Sequence, residues 1–129
     1  TIIGHSERRR FFDETDEILA KKVQLAKEAG LTSIYCVQSK EEPVSIDVTI
    51  VAYEPVTAIG TGNPDTPESA QAVAEAIKSQ FPHVQYVLYG GSVKPENVAS
   101  FTSLPAIHGV LVGGASLSPD TFFQLANNA

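Results

Sequence analysis

Hydrophobic residues lie along the chain in short runs rich in β-branched residues, and these runs alternate with segments of helical periodicity. Such alternation is typical of consecutive βα units around a parallel sheet. The runs are apolar throughout rather than alternating, which favours strands covered on both faces. The predicted strands are Thr1 to Gly4, Ser33 to Val37, Val48 to Tyr53, Gln85 to Tyr89 and Gly109 to Val112.

The segments between these strands carry helix signals. Asp13 to Ala29 has one apolar face and ends before a glycine, and Thr66 with Pro67 predicts the start of another helix. The stretches "KPENVASF" and "SPDTFFQLA" each place a proline near a first helical turn. The link 38–47 is shorter than the dozen or so residues of a parallel crossover, so we expect an irregular connection there. Periodicity does not distinguish an open sheet from a closed barrel.

Composition and charge limit the class of protein and of partner that the sequence allows. The chain has 129 residues, of which 43% are hydrophobic and 19% charged, so we predict a single globular domain over residues 1–129. The apolar runs are far shorter than the ~18 residues of a membrane span, and the net charge of −6 argues against nucleic acid. The chain therefore indicates neither a membrane nor a nucleic-acid partner.

Residue usage adds two further expectations. The single cysteine, Cys36, cannot form an internal disulfide, which suits a reducing cytoplasm. The chain starts with Thr1 and contains no methionine, so we expect either that residues were removed or that it is one piece of a larger protein. The three arginines Arg8 to Arg10 are too few for a nucleic-acid surface and are expected to pair with nearby acids.

The polar residues of interest follow the predicted strands. In α/β architectures ligands bind at the carboxyl ends of strands. The residues at the carboxyl ends of the predicted strands are His5-Ser6-Glu7, Cys36, Glu54, Gly90-Gly91-Ser92 and Gly113-Gly114. Each glycine pair can aim backbone NH groups at an anion, although a tight βα turn also explains one pair. Two convergent pairs predict a phosphate site. Taken alone, a glutamate at a strand end is more often a solvated surface group or part of a structural ion pair than a catalytic residue. A lone His5 is similarly explained as a helix cap or as a partner for a buried NH group.

Four strings carry a family resemblance. "IIGHSERR", "YEPVTAIGTG", "LYGGSVKPEN" and "GVLVGGASL", in this order, resemble the triosephosphate isomerases. The resemblance implies an α/β fold of the (β/α)8 TIM barrel type, present here as a partial barrel of about five parallel strands that lacks the helix between the second and third. It also implies isomerisation of triose phosphates in glycolysis and gluconeogenesis, a triose phosphate as the small-molecule partner, and neither cofactor nor metal ion.

The resemblance assigns roles to residues. His5 corresponds to the neutral electrophile, Glu54 to the base, and Glu7 to the carboxylate that positions a catalytic lysine. The implied phosphate-binding residues are Gly60, Ser92, Gly113 and Gly114. The implied lid and its latch comprise Pro55, Val56, Thr57, Ala58, Ile59, Thr61, Gly62 and Tyr89, with Ser92 assisting.

Departures from the family pattern keep alternatives open. The family's first three strands, with the lysine of the first loop, have no counterpart here, and Thr57 replaces the tryptophan of the lid hinge. We therefore expect self-association, or a complementary chain that supplies the missing strands. The alternatives are an inactive or assembly-dependent half barrel that only binds phosphate or a partner chain, and another sugar-phosphate barrel enzyme.

Overall fold

A four-stranded parallel sheet is the centre of the structure. The computed structural model describes residues 1–55 and 65–129, and within them the strands lie in the order β1-β2-β3-β4. Every neighbouring pair is parallel. The strands are β1 Ile2–Ile3, β2 Ile34–Val37, β3 Ile50–Tyr53 and β4 Tyr86–Tyr89. The predicted α/β alternation is confirmed, with each strand slightly shorter than its apolar run.

The fifth predicted strand, Gly109 to Val112, is reduced to a single bridge between Tyr89 and Val110. The segment still lies along β4, because the Tyr89 amide donates to the Gly109 carbonyl at 3.0 Å and the Leu111 amide donates to the Tyr89 carbonyl at 2.9 Å. β4 ends at Tyr89, so too few residues remain beside the segment to extend the ladder. The expectation of about five strands is therefore corrected to four strands and one bridging segment within the described residues.

Helices and one 3-10 turn occupy the connections. They are α1 Ser6–Phe12, α2 Asp16–Glu28, α3 Pro67–Gln80, α4 Val98–Thr102, the 3-10 helix Gly114–Leu117 and α5 Pro119–Asn128. Helix α1 was not predicted from the sequence, and α2 begins at Asp16 rather than at the predicted Asp13. Asp13 adopts a left-handed conformation, with φ 51°, that ends α1, and the Thr15 side chain then caps α2.

The remaining helix predictions are confirmed with one change in length. α3 starts after Thr66, whose hydroxyl accepts the Ser69 amide at 3.1 Å, and α5 starts after Ser118. α4 begins only at Val98, because Lys94 and Asn97 close a turn in which the Lys94 amide donates to Asn97 Oδ1 at 2.7 Å. The predicted irregular link 38–47 contains no helix, and neither does the whole connection 38–49 between β2 and β3. None of the helices in the described residues is long and apolar enough to cross a membrane.

The two faces of the sheet are covered unequally. Alternate residues share a face, and on one face every strand residue from Ile3 to Tyr89 is buried against the helices in the main core. The opposite face carries Ile2 and Tyr86, which are each 49% exposed. On this opposite face Cys36 and Ala52, in the two central strands, are fully buried. The expectation of strands covered on both faces therefore holds for one face and for part of the other. The buried residues of the covered face are Ile3, Tyr35, Val37, Val51, Tyr53, Val87 and Tyr89.

Candidate active site

His5 sits at the junction of β1 and α1. It caps the helix, and its Nδ1 accepts a hydrogen bond from the Glu7 amide at 3.3 Å. A ring nitrogen that accepts cannot carry a proton, so in the neutral ring the proton lies on Nε2. That Nε2 lies 3.0 Å from Oε1 of Glu54. The hydrogen bonding therefore selects the tautomer that directs a donor toward the carboxylate.

Glu54 follows the last residue of β3. Its amide donates to the Val37 carbonyl at 2.8 Å and so continues the parallel ladder. The side chain is only 1% exposed, and its Oε2 accepts the Ser6 amide at 2.8 Å. Burial of a carboxylate is costly unless it is hydrogen-bonded, and the β1–α1 turn supplies donors to both oxygens. The base candidate is thus held by the turn that carries His5.

The glycine pair after β4 allows close packing. A Cβ on Gly90 would lie 3.0 Å from Cγ of Glu54, and a Cβ on Gly91 would lie 2.2 Å from the Tyr89 hydroxyl. Any larger residue at either position would displace a buried side chain. Close packing therefore explains why glycine occupies positions 90 and 91, and no bound anion is needed to explain it. This agrees with the alternative that a single glycine pair serves a tight βα turn.

One cavity of about 680 Å³ brings the strand ends together. Gly113 and Gly114 form its rim, and an added Cβ on either glycine would meet no atom within 4 Å. Gly113 also precedes the 3-10 helix, so the chain turns at the cavity edge. The predicted site residues that line this cavity are His5, Glu7, Glu54, Ser92, Gly113 and Gly114.

The charges around this cavity are mostly negative. Among the described lining residues, the carboxylates are Glu7, Glu54 and Glu96, whereas Lys94 is the one lysine or arginine. A phosphate ester is a dianion at neutral pH, so these carboxylates oppose its approach. Binding of a phosphate by the described residues must therefore rely on neutral donors, from the backbone or from side chains, and on Lys94.

Comparison with known proteins decides the family. The family model described as triosephosphate isomerase matches residues 1–129. The chain belongs to the triosephosphate isomerase family. It is 40% identical to the triosephosphate isomerase of Geobacter metallireducens over 98% of this chain and 62% of the relative. Against that of Vibrio parahaemolyticus it is 40% identical, over 99% of this chain and 62% of the relative.

A third relative gives the same coverage. The triosephosphate isomerase of Thermus thermophilus is 39% identical over 96% of this chain and 62% of its own length. The chain thus spans about three fifths of the length of the curated triosephosphate isomerases it matches. The four-stranded α/β sheet is consistent with a partial TIM barrel.

Several residues assigned by resemblance to triosephosphate isomerases lie outside the described part of the chain. Pro55 is described and buried, and it follows Glu54 directly. Gly60, an implied phosphate-binding residue, and six implied lid residues fall within 56–64, which lies outside the described residues. Those lid residues are Val56, Thr57, Ala58, Ile59, Thr61 and Gly62.

Tyr89, for which the resemblance implies a latch role, has a partner at the start of the next described segment. Its hydroxyl accepts the Asp65 amide at 2.9 Å, and its ring stacks on Phe101 with centroids 4.0 Å apart. Asp65 also accepts a long hydrogen bond of 3.4 Å from the Tyr53 hydroxyl. Burial, and then the Asp65 carboxylate, raise the pKa of Tyr53 to about 12. Tyr53 opens the string "YEPVTAIGTG", but neither Tyr53 nor Asp65 was predicted as a site residue. The register pairing of Tyr53 with Tyr89 places both tyrosines at the carboxyl ends of neighbouring strands.

Cys36 lies beneath the carboxylate in β2. It is fully buried, and burial followed by the neighbouring Glu54 carboxylate raises the pKa of its thiol above the usual range. Since thiolate is the reactive form, this environment suppresses the nucleophilicity of the sulfur. The interpretation of Cys36 as an unreactive core residue near the base agrees with this burial.

Proposed function

We propose that the protein is a triosephosphate isomerase, which interconverts glyceraldehyde 3-phosphate and dihydroxyacetone phosphate in glycolysis and gluconeogenesis. The observation that carries the proposal is the 3.0 Å contact between His5 Nε2 and Glu54 Oε1. It places a buried carboxylate and an imidazole donor in one cavity, as a proton transfer beside a carbonyl requires. Membership of the triosephosphate isomerase family supports the choice of substrate.

In this mechanism Glu54 removes a proton from the carbon next to the carbonyl, and negative charge moves to the carbonyl oxygen as the enediolate forms. The hydroxyl proton on the first carbon passes to that oxygen, and Glu54 returns its proton to the former carbonyl carbon. His5 donates its Nε2 proton in a hydrogen bond to the oxygen on which negative charge develops. The substrate oxygen then takes the place of Glu54 as the acceptor for His5. The burial of Glu54 supports its role, because its surroundings hold the carboxylate in one orientation and exclude bulk water from it.

The phosphate group is proposed to bind backbone NH groups of Ser92, Gly113 and Gly114, together with Gly60. The open rim at Gly113 and Gly114 supports this, since a ligand can approach both glycines closely. Glu7 would orient a lysine that the family carries outside this chain. Residues 55–62 are proposed as a lid that Tyr89 and Ser92 latch, and the 2.9 Å bond from the Asp65 amide to Tyr89 supports a latch at that place.

Function is further proposed to depend on assembly of residues 1–129, as one partial-barrel domain, with a second chain. β1 pairs only with β2 among the described residues, so its other edge has no strand partner there, and Ile2 of this strand is 49% exposed. The carboxylates around the cavity also lack a matching cation in the described residues, apart from Lys94. A complementary chain with the family's first three strands, or a second copy, would cover this edge. The unpaired Cys36 supports placement in the reducing cytoplasm.

A second candidate function follows from the same carboxylates. Without an added cation the chain would act only as a half barrel that binds phosphate or a partner chain, and the excess of acidic groups favours this for the chain alone. Loss of one electrostatic donor typically lowers turnover about 10²- to 10³-fold. We therefore expect very slow isomerisation, or none, from the unassisted chain.

The test is a coupled isomerase assay on the chain, with and without a polypeptide that carries the first three strands of a family member. Rescue of turnover on addition supports assembly, and Glu54→Gln in the chain should abolish the rescue. Full activity of the chain alone would overturn the dependence on assembly. If no activity appears in any combination, phosphate titration followed by NMR distinguishes a phosphate-binding half barrel, which shifts the Ser92, Gly113 and Gly114 amides, from a chain without a phosphate site.

A further inference from the structure

Arg9 on α1 reaches back under the site and binds two strand ends. Its Nε donates to the Gly4 carbonyl at 2.8 Å, and its Nη2 donates to the Cys36 carbonyl at 3.0 Å. The side chain is 15% exposed, and its guanidinium lies 5.8 Å from the centre of the Tyr35 ring. Arg9 therefore joins the end of β1 to β2 through the main chain of both strands.

The sequence leaves room for this contact at Gly4. Gly4 has φ +77°, and a Cβ there would lie 3.2 Å from Nη2 of Arg9 and 3.4 Å from the Cys36 carbonyl. A side chain would thus be strained by the backbone and would press on the guanidinium. The glycine allows β1 to turn into His5 directly above the guanidinium.

A short path of hydrogen bonds links Arg9 to both groups of the proposed reaction. Gly4, which Arg9 binds, immediately precedes His5. Cys36, which Arg9 also binds, precedes Val37, whose carbonyl accepts the Glu54 amide at 2.8 Å. Since His5 and Glu54 meet at 3.0 Å, a change in the spacing of β1 and β2 would change that contact.

Glu42 also contacts the guanidinium of Arg9. Its Oε2 forms an ion pair with Arg9 Nη2 at 3.0 Å, and its Oε1 accepts the Gln38 amide at 2.9 Å. Glu42 is 24% exposed, whereas Asp16, the other acidic neighbour of Arg9, is 68% exposed and lies 3.4 Å away. Glu42 Oε2 is shielded from solvent and accepts no hydrogen bond from Nη2, whereas the exposed Asp16 accepts a long hydrogen bond from Nη1. The Glu42 ion pair is therefore the less screened of the two.

We infer that Arg9, oriented by Glu42 of the irregular link 38–49, is a positioning residue that sets the distance between His5 and Glu54. The inference rests on the proposed roles of those two residues in proton transfer. The link that replaces a helix between β2 and β3 thereby supplies a group that supports the site.

The test is NMR on the 129-residue chain, because it needs no isomerase activity. The exchange rate of the His5 Nε2 proton reports the contact with Glu54. Arg9→Met should accelerate this exchange at least about tenfold, since it removes charge-assisted hydrogen bonds to both strand ends. Arg9→Lys, which retains the charge but offers no planar fork, should give an intermediate rate. The matched control is Arg10→Met, an exposed neighbour on the same helix, which should stay within about twofold of the parent.

Circular dichroism establishes that each variant is folded. A folded Arg9→Met chain that exchanges within about twofold of the parent would overturn the inference, as would an equal acceleration by Arg10→Met. If Arg9→Met does not fold, Glu42→Gln decides. We expect it to accelerate exchange about threefold while it keeps Arg9, and an unchanged rate there would overturn the inference. Failure of the isomerase assay would leave these measurements unaffected, so the two proposals fail separately.

Discussion

Oε1 of Glu54 lies 3.0 Å from His5 Nε2, while Oε2 of the same carboxylate accepts the Ser6 amide at 2.8 Å. Both oxygens are thus held by consecutive residues of one turn. A carboxylate fixed on both oxygens keeps a defined direction toward the cavity, which lowers the cost of reaching a reactive geometry. The β1–α1 turn therefore positions the proposed base, Glu54, as well as the proposed electrophile, His5.

Glu54→Gln and Glu54→Asp should both depress turnover far more than substrate affinity. General base catalysis is typically worth about 10²- to 10⁴-fold, whereas the phosphate contacts act equally in ground and transition states. Steady-state kinetics on the active assembly should show kcat lowered in that range, with KM changed only a few-fold. Glu96→Gln, another carboxylate at the cavity, is the control and should leave kcat unchanged. Equal losses in kcat and affinity would contradict the role of Glu54 as base.

Gly91→Ala should destabilise the fold, because the added methyl would lie 2.2 Å from the Tyr89 hydroxyl. Tyr89 is fully buried and stacked on Phe101, so it cannot move aside without cost. We expect a loss of about 1 to 3 kcal/mol in the free energy of unfolding, measured by urea denaturation. Gly113→Ala, where no atom lies within 4 Å, should change that free energy by less than about 0.5 kcal/mol. Similar losses in both variants would show that the Tyr89 contact is not responsible.

Much of this architecture is predictable from sequence because the signals are local. The caps Thr66 and Ser118 and the apolar runs give α3, α5 and four strands close to their bounds. Helix α1 was missed because its cap, His5, belongs to a motif interpreted as chemistry, and because the left-handed turn at Asp13 has no distinctive sequence. The segment after Gly109 stops as a bridge since its length depends on where β4 ends, which is a tertiary property.

The residues that line the candidate site could be predicted from the sequence, whereas the contacts that support them could not. The strand-end rule and the family motifs place His5, Glu7, Glu54, Ser92 and the pair Gly113-Gly114 at one cavity, as the structure does. The Ser6 amide and the Arg9 guanidinium were not anticipated as supports of the site. Their roles arise from contacts between strands distant in sequence, and neither residue type identifies such a contact by itself.

Glu14 should make folding stability depend on acid pH. Burial alone would raise the pKa of this carboxyl, but Lys22 and Arg8, the latter at 2.5 Å, outweigh it and hold the pKa below its ordinary value of 4.5. A lowered pKa in the folded state gives a stabilisation that is complete above the ordinary value and is lost as pH falls through the folded-state pKa. Glu14→Gln should therefore cost about 1.5 to 3 kcal/mol at neutral pH.

Urea denaturation at several pH values checks this dependence. The difference in the free energy of unfolding between the parent and Glu14→Gln should shrink as the pH falls below 4.5. At such pH the carboxyl of the parent becomes protonated and loses the charge that pairs with Lys22 and Arg8. Glu17→Gln, at an exposed position in the first turn of α2, is the control and should change stability by less than about 0.5 kcal/mol. A difference that stays constant down to acid pH would argue against the charge of Glu14 as the cause.

Cys36 should resist thiol reagents while the chain is folded. It is fully buried, and burial with the adjacent Glu54 raises the pKa of the thiol, so both access and thiolate are lacking. With an aromatic disulfide reagent we expect a reaction at least about 10³-fold slower in buffer than in concentrated urea, as for a group exposed only by unfolding. Complete modification within minutes in buffer would mean that β2 opens locally.

The absence of a helix between β2 and β3 also bears on how the chain acquires its structure. The register pairs Ile34 with Ile50, a sequence separation half or less of those that join Ile2 to Ile34 or Ile50 to Tyr86. The free-energy cost of closing a loop grows by only about 0.6 kcal/mol for each doubling of its length. This cost is still lowest for the shortest loop, so the strands that it joins are expected to pair first. The β2–β3 pair should therefore nucleate the sheet, and truncations such as Val51→Ala should slow refolding more than truncations at Val87 do.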